Sequence, residues 1–432
     1  MSAVNTTFLI LATILVFSMT PGLAFFYGGL VSKDNVVNTM LSVFILCGLS
    51  VVLFIAIGYE LSFGPDVGGI IGQISHFFLN GFDLNSIENP EMGLSHAAFL
   101  AFEMMFAIIT PALFVGSIVG RMRFNFLMYF VIFWSLLIYY PMVHMVWTPD
   151  GLLASLGVLD FAGGTVVHIN AGITALLLSI FLGPRLKRSG EHYNLSWVLL
   201  GTAILWIGWY GFNAGSAFGI NSVALNAFLT TTVATSAAML TWMLLEIFLK
   251  GKPTLVGVCT GALCGLVGIT PGTGYVTNAG AFFIGVICAI SSYFFVNNIK
   301  PHLKFDDPLD VFGCHGMSGI VGSVLVGAFA SHTVNTDVTT NGIFYGGGFK
   351  LIGIQLLGMT ISIFFAAVMV TLIIIILKQF VPMRVSTEDE NTGLDFSLHG
   401  EKADYQVNDH FEDVSQYSEE FRGQLSRFNK KN

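Results

Sequence analysis

The sequence predicts an all-α integral membrane protein: eleven transmembrane helices, built as an inverted five-plus-five repeat with one helix added. Three observations carry that reading. The composition is 54% hydrophobic and only 10% charged, where a soluble domain carries roughly 25% charged residues. Eleven apolar stretches approach bilayer length. Lys and Arg gather in alternate loops. The mean hydropathy of +0.76 agrees. Glycine (48 residues) lets transmembrane helices approach closely, and phenylalanine (40) suits lipid or a narrow apolar pore. The formal net charge of −8 comes largely from the end of the chain, with eleven Asp/Glu after residue 385. Cys47, Cys259, Cys264, Cys288 and Cys314 fall in or beside apolar runs without metal-ligand spacing, so they read as packing residues without disulfides.

Spans of about twenty apolar residues fall near 8–31, 40–63, 96–118, 126–147, 163–183, 196–219, 223–248, 254–270, 279–297, 309–331 and 349–379. The first is too long for a signal-peptide core and carries Pro21 and Gly22 where a cleavage site would be, so it reads as a span. With the N-terminus outside, the inner loops collect Lys33, Arg121, Arg123, Arg185, Lys187, Arg188, Lys250, Lys252, Lys300, Lys304, Lys378 and Arg384, leaving only Lys350 outside. That is a positive-inside pattern. It predicts a multi-pass protein of the cell (plasma) membrane with a cytoplasmic C-terminus.

Two histidines lie in apolar segments, each with an aspartate upstream: Asp160-Phe-Ala-Gly-Gly-Thr-Val-Val-His168 and Asp310-Val-Phe-Gly-Cys-His315. An ionisable group at bilayer depth is costly and by default marks a pathway or relay. The two segments belong to helices five and ten, five helices apart. Helices one and six also match, Pro21-Gly-Leu-Ala-Phe-Phe-Tyr-Gly-Gly29 against Gly208-Trp-Tyr-Gly-Phe-Asn-Ala-Gly215. A repeat of five helices must be inverted in the membrane, and inverted repeats place their shared site near the midplane. The domain reading is therefore residues 1–383 for the membrane body, with repeats 8–183 and 196–331 and an eleventh helix 349–379, and 384–432 for an acidic cytoplasmic tail.

The stretches His144-Met-Val-Trp147, Asp160 to Asn170, Gly208 to Ser216 and Asp310 to Gly316 resemble the ammonium transporter (Amt/Mep/Rh) family, its bacterial Amt branch above all. The resemblance runs from Pro21 to the tail motif Gly393-Leu-Asp…His399-Gly-Glu401. It implies a homotrimer with one pore per subunit, recruiting ammonium outside and passing ammonia, with the proton taking a separate path. It implies recruitment by Phe102, Trp147 and Ser216, a gate of stacked Phe106 and Phe212, and a pore lined by His168 and His315. An aromatic face holds a small cation by about 0.5–2 kcal/mol. The plainer alternative for Trp147 is an interfacial aromatic belt, and for any one Phe it is lipid-facing or core packing. A ring pair would exclude hydrated ions, because a desolvated monovalent cation in hydrocarbon is very expensive.

Desolvation disfavours the charged form of a buried imidazole. A neutral pair can share one N–H between facing nitrogens, leaving an outward nitrogen on each for substrate; the alternative is two histidines bonded to backbone carbonyls. Two converging ligands make no metal site, and no cofactor or nucleic-acid partner is expected. Asp160 is expected to cap helix five, with an added electrostatic pull on the cation, and Asp310, placed in helix ten, to be its inner counterpart. Glu103 departs from the neutral amide of the family pattern, either tuning cation attraction or facing a partner subunit. Residues 384–404 match the family's regulatory tail, on whose face a PII-type signal protein binds in bacterial members; beyond about Gln406 the expectation is a solvated tail. The rivals are a passive ammonia or CO₂ channel of the Rh kind, an ammonium sensor, which usually needs an output domain, and an intramembrane enzyme, which lacks a fitting nucleophile and metal spacing.

Overall fold

A computed structural model describes residues 1–89, 92–187 and 190–404. Arg188 and the tail beyond 404 lie outside the described residues. Among those described, ten helices are long and apolar enough to cross a membrane: α1 (Ala3–Leu30), α2 (Lys33–Phe63), α3 (His96–Ser117), α4 (Phe124–Ser155), α5 (Gly164–Leu182), α6 (Leu195–Gly215), α7 (Ser222–Lys250), α9 (Asn278–His302), α10 (Phe312–Phe329) and α11 (Lys350–Leu377). The eighth expected position is taken by the shorter apolar helix α8 (Leu255–Ile269). Its 15 residues reach only about 22 Å at 1.5 Å per residue. Enclosed by neighbouring helices and buried along nearly its whole length, it does not have to match the lipid thickness.

Most starts are written in single polar residues. The side chains of Ser95, Asn194, Asn221, Thr254 and Thr277 each accept a backbone N–H in the first turn of α3, α6, α7, α8 and α9, satisfying donors that have no intrahelical partner. Ser2 does the same for α1, which therefore begins five residues before the expected boundary; the polar run Asn5-Thr-Thr7 hides that turn from hydropathy.

Helices one and six lie against each other through glycine. A Cβ on Gly201 would stand 2.4 Å from Phe26 N, one on Gly208 2.7 Å from Leu15 O, and one on Gly211 2.6 Å from Ala12 O. Helices five and ten cross the same way, a Cβ on Gly172 falling 2.4 Å from Gly316 Cα. The helix pairs that the repeat reading makes equivalent are thus in direct contact. Four wide π-turns pair up as well, Ser135–Tyr139 in α4 with Phe295–Ile299 in α9 and Gly164–Ile169 in α5 with Phe312–Met317 in α10, while a fifth, Phe54–Gly58 in α2, has no counterpart in α7. Such turns cluster at functional sites.

One end of the bundle carries two small hairpins between α2 and α3, β1 (Asp66–Val67) with β2 (Ile71–Gly72) and β3 (Ile87–Asn89) with β4 (Leu94–Ser95). The other end carries the cationic residues. Arg121 is fully buried there, its guanidinium donating to the carbonyls of Ser117, Val119, Gly183 and Asp306. The first part of the tail folds onto this end as α12 (Thr387–Thr392) and α13 (Leu394–His399). Asp395 accepts the N–H groups of Val37 and Asn38 at the start of α2, and Arg384 pairs with Glu390.

Asp310 is not in helix ten. It precedes it with φ +55° and pairs with Lys300. The carboxylate that accepts a helix-ten N–H is Asp307, from Phe312 at 2.8 Å. Asp307 stands eight residues before His315, as Asp160 stands eight before His168. Asp310 occupies the residue before the helix, but its positive φ and its pairing with Lys300 take its carboxylate away from the first-turn N–H groups.

Candidate functional site

The π-turns of α5 and α10 bring His168 and His315 together. Their Nδ1 atoms are 3.3 Å apart and both rings are buried. The rings stack at 5.3 Å with 18° between planes. Only one hydrogen fits between facing nitrogens, so one ring donates and the other accepts. His168 Nε2 is buried without a protein partner and faces a narrow, mostly apolar cavity lined by both histidines together with Leu23, Val167, Leu205 and Trp209. Trp209, which sequence reasoning passed over although it sits in a quoted motif, stacks on His168 at 5.4 Å. Its indole N–H donates to Thr270 Oγ1 at 2.9 Å, which holds the plate in place.

Phe212 ends this cavity. Its ring stacks on Phe106 at 4.2 Å and 29°, and Phe102 stands edge-on to Phe106 at 5.1 Å, one turn along α3. Trp147 meets Phe106 edge-on at 5.6 Å. Beyond the phenylalanines a vestibule opens, lined by Trp147 and Phe218 and by the polar groups of Asp66, Glu88, His144 and Asp150.

The structure does not treat the three expected recruitment residues alike. Trp147 is half-buried and lines the vestibule. Ser216 is half-buried, with its hydroxyl donating to Phe212 O at 2.9 Å, leaving its lone pairs as acceptors. Phe102 is fully buried and lies 6.1 Å from the ring of Phe218, which, with Phe99, lines the vestibule. Phe218 has φ +56°; a bulky residue in that region is rare, and no composition signal announces it. Glu103 is 5% exposed and lies near Tyr59 and Tyr139. It is enclosed within the subunit, so it neither lines the vestibule nor faces a neighbouring copy.

Asp160 holds these pieces together. Its carboxylate accepts the N–H groups of Gly163 (3.0 Å), Gly164 (2.6 Å), Thr165 (2.8 Å) and Val166 (3.1 Å). Its own carbonyl accepts the Trp147 indole N–H at 2.9 Å. Gly163 opens the helix at φ +109°, a conformation that favours glycine. Burial raises the Asp160 carboxyl above the ordinary aspartate range, and the four N–H groups pull it back in part.

A family model described as Ammonium Transporter Family matches residues 7–404. The chain belongs to this family. An ammonium transporter of Aquifex aeolicus (strain VF5) is 46% identical over 400 residues, covering 92% of this chain and 93% of that protein. One from Bacillus subtilis (strain 168) is 38% identical, covering 92% and 98%. Among solved structures, Candida albicans Mep2 superposes with a TM-score of 0.83 at 30% identity, covering 90% of this chain and 88% of that one. A structure described as Sensor Amt Protein reaches the same TM-score at 28% identity, covering 92% and 98%. This member of the Ammonium Transporter Family is a multi-pass protein of the cell membrane, a transporter and not an enzyme.

Proposed function

We propose that the chain recruits ammonium from outside at the vestibule face of Trp147 and conducts ammonia past Phe106 and Phe212 through the His168–His315 pore. The proton takes a separate path. One arrangement carries this reading: a stacked ring pair closing a narrow, mostly apolar cavity on whose wall a buried imidazole pair leaves one nitrogen unpartnered. A cation cannot enter such a space without its water, and that loss is very expensive. Ammonium escapes the cost by giving up a proton; K⁺ has none to give. The freed amine then needs a hydrogen-bond partner, and the open His168 Nε2 supplies one. Phe102 backs the ring pair and Ser216 offers its hydroxyl oxygen beside it. Asp160 acts mainly as a cap, with its charge adding to cation attraction, while Asp307 and Asp310 order the opposite end.

The cationic end faces the cytoplasm in this reading, in keeping with the positive-inside rule. The body is residues 1–383 in a homotrimer, and the tail from residue 384 is a regulatory segment whose docked surface would receive a PII-type signal protein.

The test is His168→Ala in proteoliposomes, reading current on adding ammonium. Loss of current with assembly intact is the expected result. Ammonia flux surviving without current would support the separate proton path. Current, selectivity and assembly all unchanged would reduce the pair to packing and sink the proposal.

A further inference from the structure

The motif His144-Met-Val-Trp147 contributes a tryptophan to the vestibule, and its histidine has a use of its own. The His144 side chain is 1% exposed. Nδ1 lies 2.9 Å from the carbonyl oxygen of Ser62, and Nε2 lies 2.9 Å from Asp66 Oδ1. A carbonyl and a carboxylate only accept hydrogen bonds, whereas a neutral imidazole has a single N–H to give. Either tautomer would therefore set lone pair against lone pair at one of the two contacts. In a site closed to water on the histidine side, an unmade bond of this kind is costly.

We propose that His144 and Asp66 together hold one proton more than a neutral imidazole beside a carboxylate, forming a charge-neutral clamp that positions Trp147 at the vestibule. The proton lies on the line between Nε2 and Oδ1, and the count is the same whichever atom it sits nearer. The clamp ties the β1–β2 hairpin to both sides of the tryptophan turn. Asp66 Oδ1 also accepts Gly69 N–H at 2.7 Å, and Gly69 O accepts Leu152 N–H at 2.8 Å. His144 stands one turn before Trp147 and Leu152 just after it, so the hairpin brackets the indole. The other charged groups lining the vestibule are Glu88, itself paired with His96, and Asp150. Neither contacts His144, so the extra proton belongs to the Asp66 pair.

The positioning role rests on Trp147 recruiting the cation; the proton count does not. Nuclear magnetic resonance of ¹⁵N-histidine, ¹³C-aspartate protein in bilayers at pH 7 reads that count directly. The expected signature is two N–H groups on His144, or one with a protonated Asp66. A singly protonated His144 beside an ionised Asp66 would overturn the proposal, as would a doubly protonated His144 persisting in Asp66→Asn. In ammonium-evoked currents, Asp66→Ala should raise the half-saturating concentration about fivefold, which is about 1 kcal/mol, and keep the maximal current. Asp66→Asn, which preserves volume and an acceptor, should stay near wild type. An assembled Asp66→Ala protein with unchanged half-saturation removes the clamp; if Trp147→Leu is equally silent, it is the recruitment reading that has failed instead.

Discussion

Replacing Asp160 by asparagine changes one heavy atom and tests how the histidine segment is held in place. The carboxylate receives four backbone N–H groups, two on each oxygen, at 2.6–3.1 Å. Asparagine keeps one oxygen and offers an NH₂ where the other was, so two of the four donors would face donors. Hydrogen bonds to a charged group contribute on the order of 1.5–3 kcal/mol each. Two of them set a ceiling of about 6 kcal/mol, and relaxation of the turn leaves roughly 3 kcal/mol. The loss is local, but it falls where the Trp147 indole is tethered to Asp160 O and one turn before His168. The expected outcome is a lowered thermal midpoint in detergent, followed by tryptophan fluorescence, with strongly reduced ammonium current. An Asp160→Asn protein that melts like the wild type would refute the capping argument. If it also carried no current, the carboxylate would be acting through its charge alone.

Trp147→Leu removes the exposed aromatic face, worth about 0.5–2 kcal/mol to a bound cation, so the half-saturating ammonium concentration should rise roughly two- to thirtyfold; an unchanged concentration dependence in assembled protein ends that assignment. Phe212→Ala deletes one ring of the 4.2 Å stack but leaves the narrow histidine section, so flux should change without K⁺ leakage, and large K⁺ currents would place selectivity in the wrong layer. At the cationic end, burial would raise the Asp306 carboxyl, but Arg185 through its guanidinium and backbone N–H outweighs it and holds the group at about 2. Because the folded value lies below the ordinary 3.8, the stabilisation is present above about pH 4 and fades as pH falls toward about 2. Unfolding scans should show a loss across that window that is smaller in Asp306→Asn by on the order of 1–2 kcal/mol.

The membrane architecture was legible because hydropathy and cation placement are properties of composition, and composition is what a bilayer reads. Helix ends were legible to the extent that one polar side chain makes them, as Asn194 and Thr254 do. The shortness of α8 was not, since its apolar run looks like any other span and only enclosure by neighbours excuses its length. Likewise, π-turns are hydrogen-bond patterns with no residue signature, so the device that turns His168 and His315 toward each other was invisible. Asp307 carries a readable signal, since the eight-residue interval that joins Asp160 to His168 recurs between Asp307 and His315. The resemblance assigns Phe102 to recruitment without saying how deep it lies, and only packing shows it buried behind Phe218. Asp66 and His144 lie 78 residues apart, and nothing in the chain between them announces that they meet.

The glycine crossings have a mechanical consequence. Where helices one and six touch, and again where five and ten touch, main chain comes close to main chain at Gly201, Gly211 and Gly172, with the side chains of Met19, Leu15 and Ile204 packed tightly beside the first pair. Many transporters rock one half against the other to expose a site alternately to each side. Crossings this close leave little travel for that. In the proposed function the route is accordingly a fixed conduit, and discrimination comes from what a solute can leave behind at the door. On that proposal, control acts at the two mouths: on one, the hairpins that frame Trp147; on the other, the folded start of the tail.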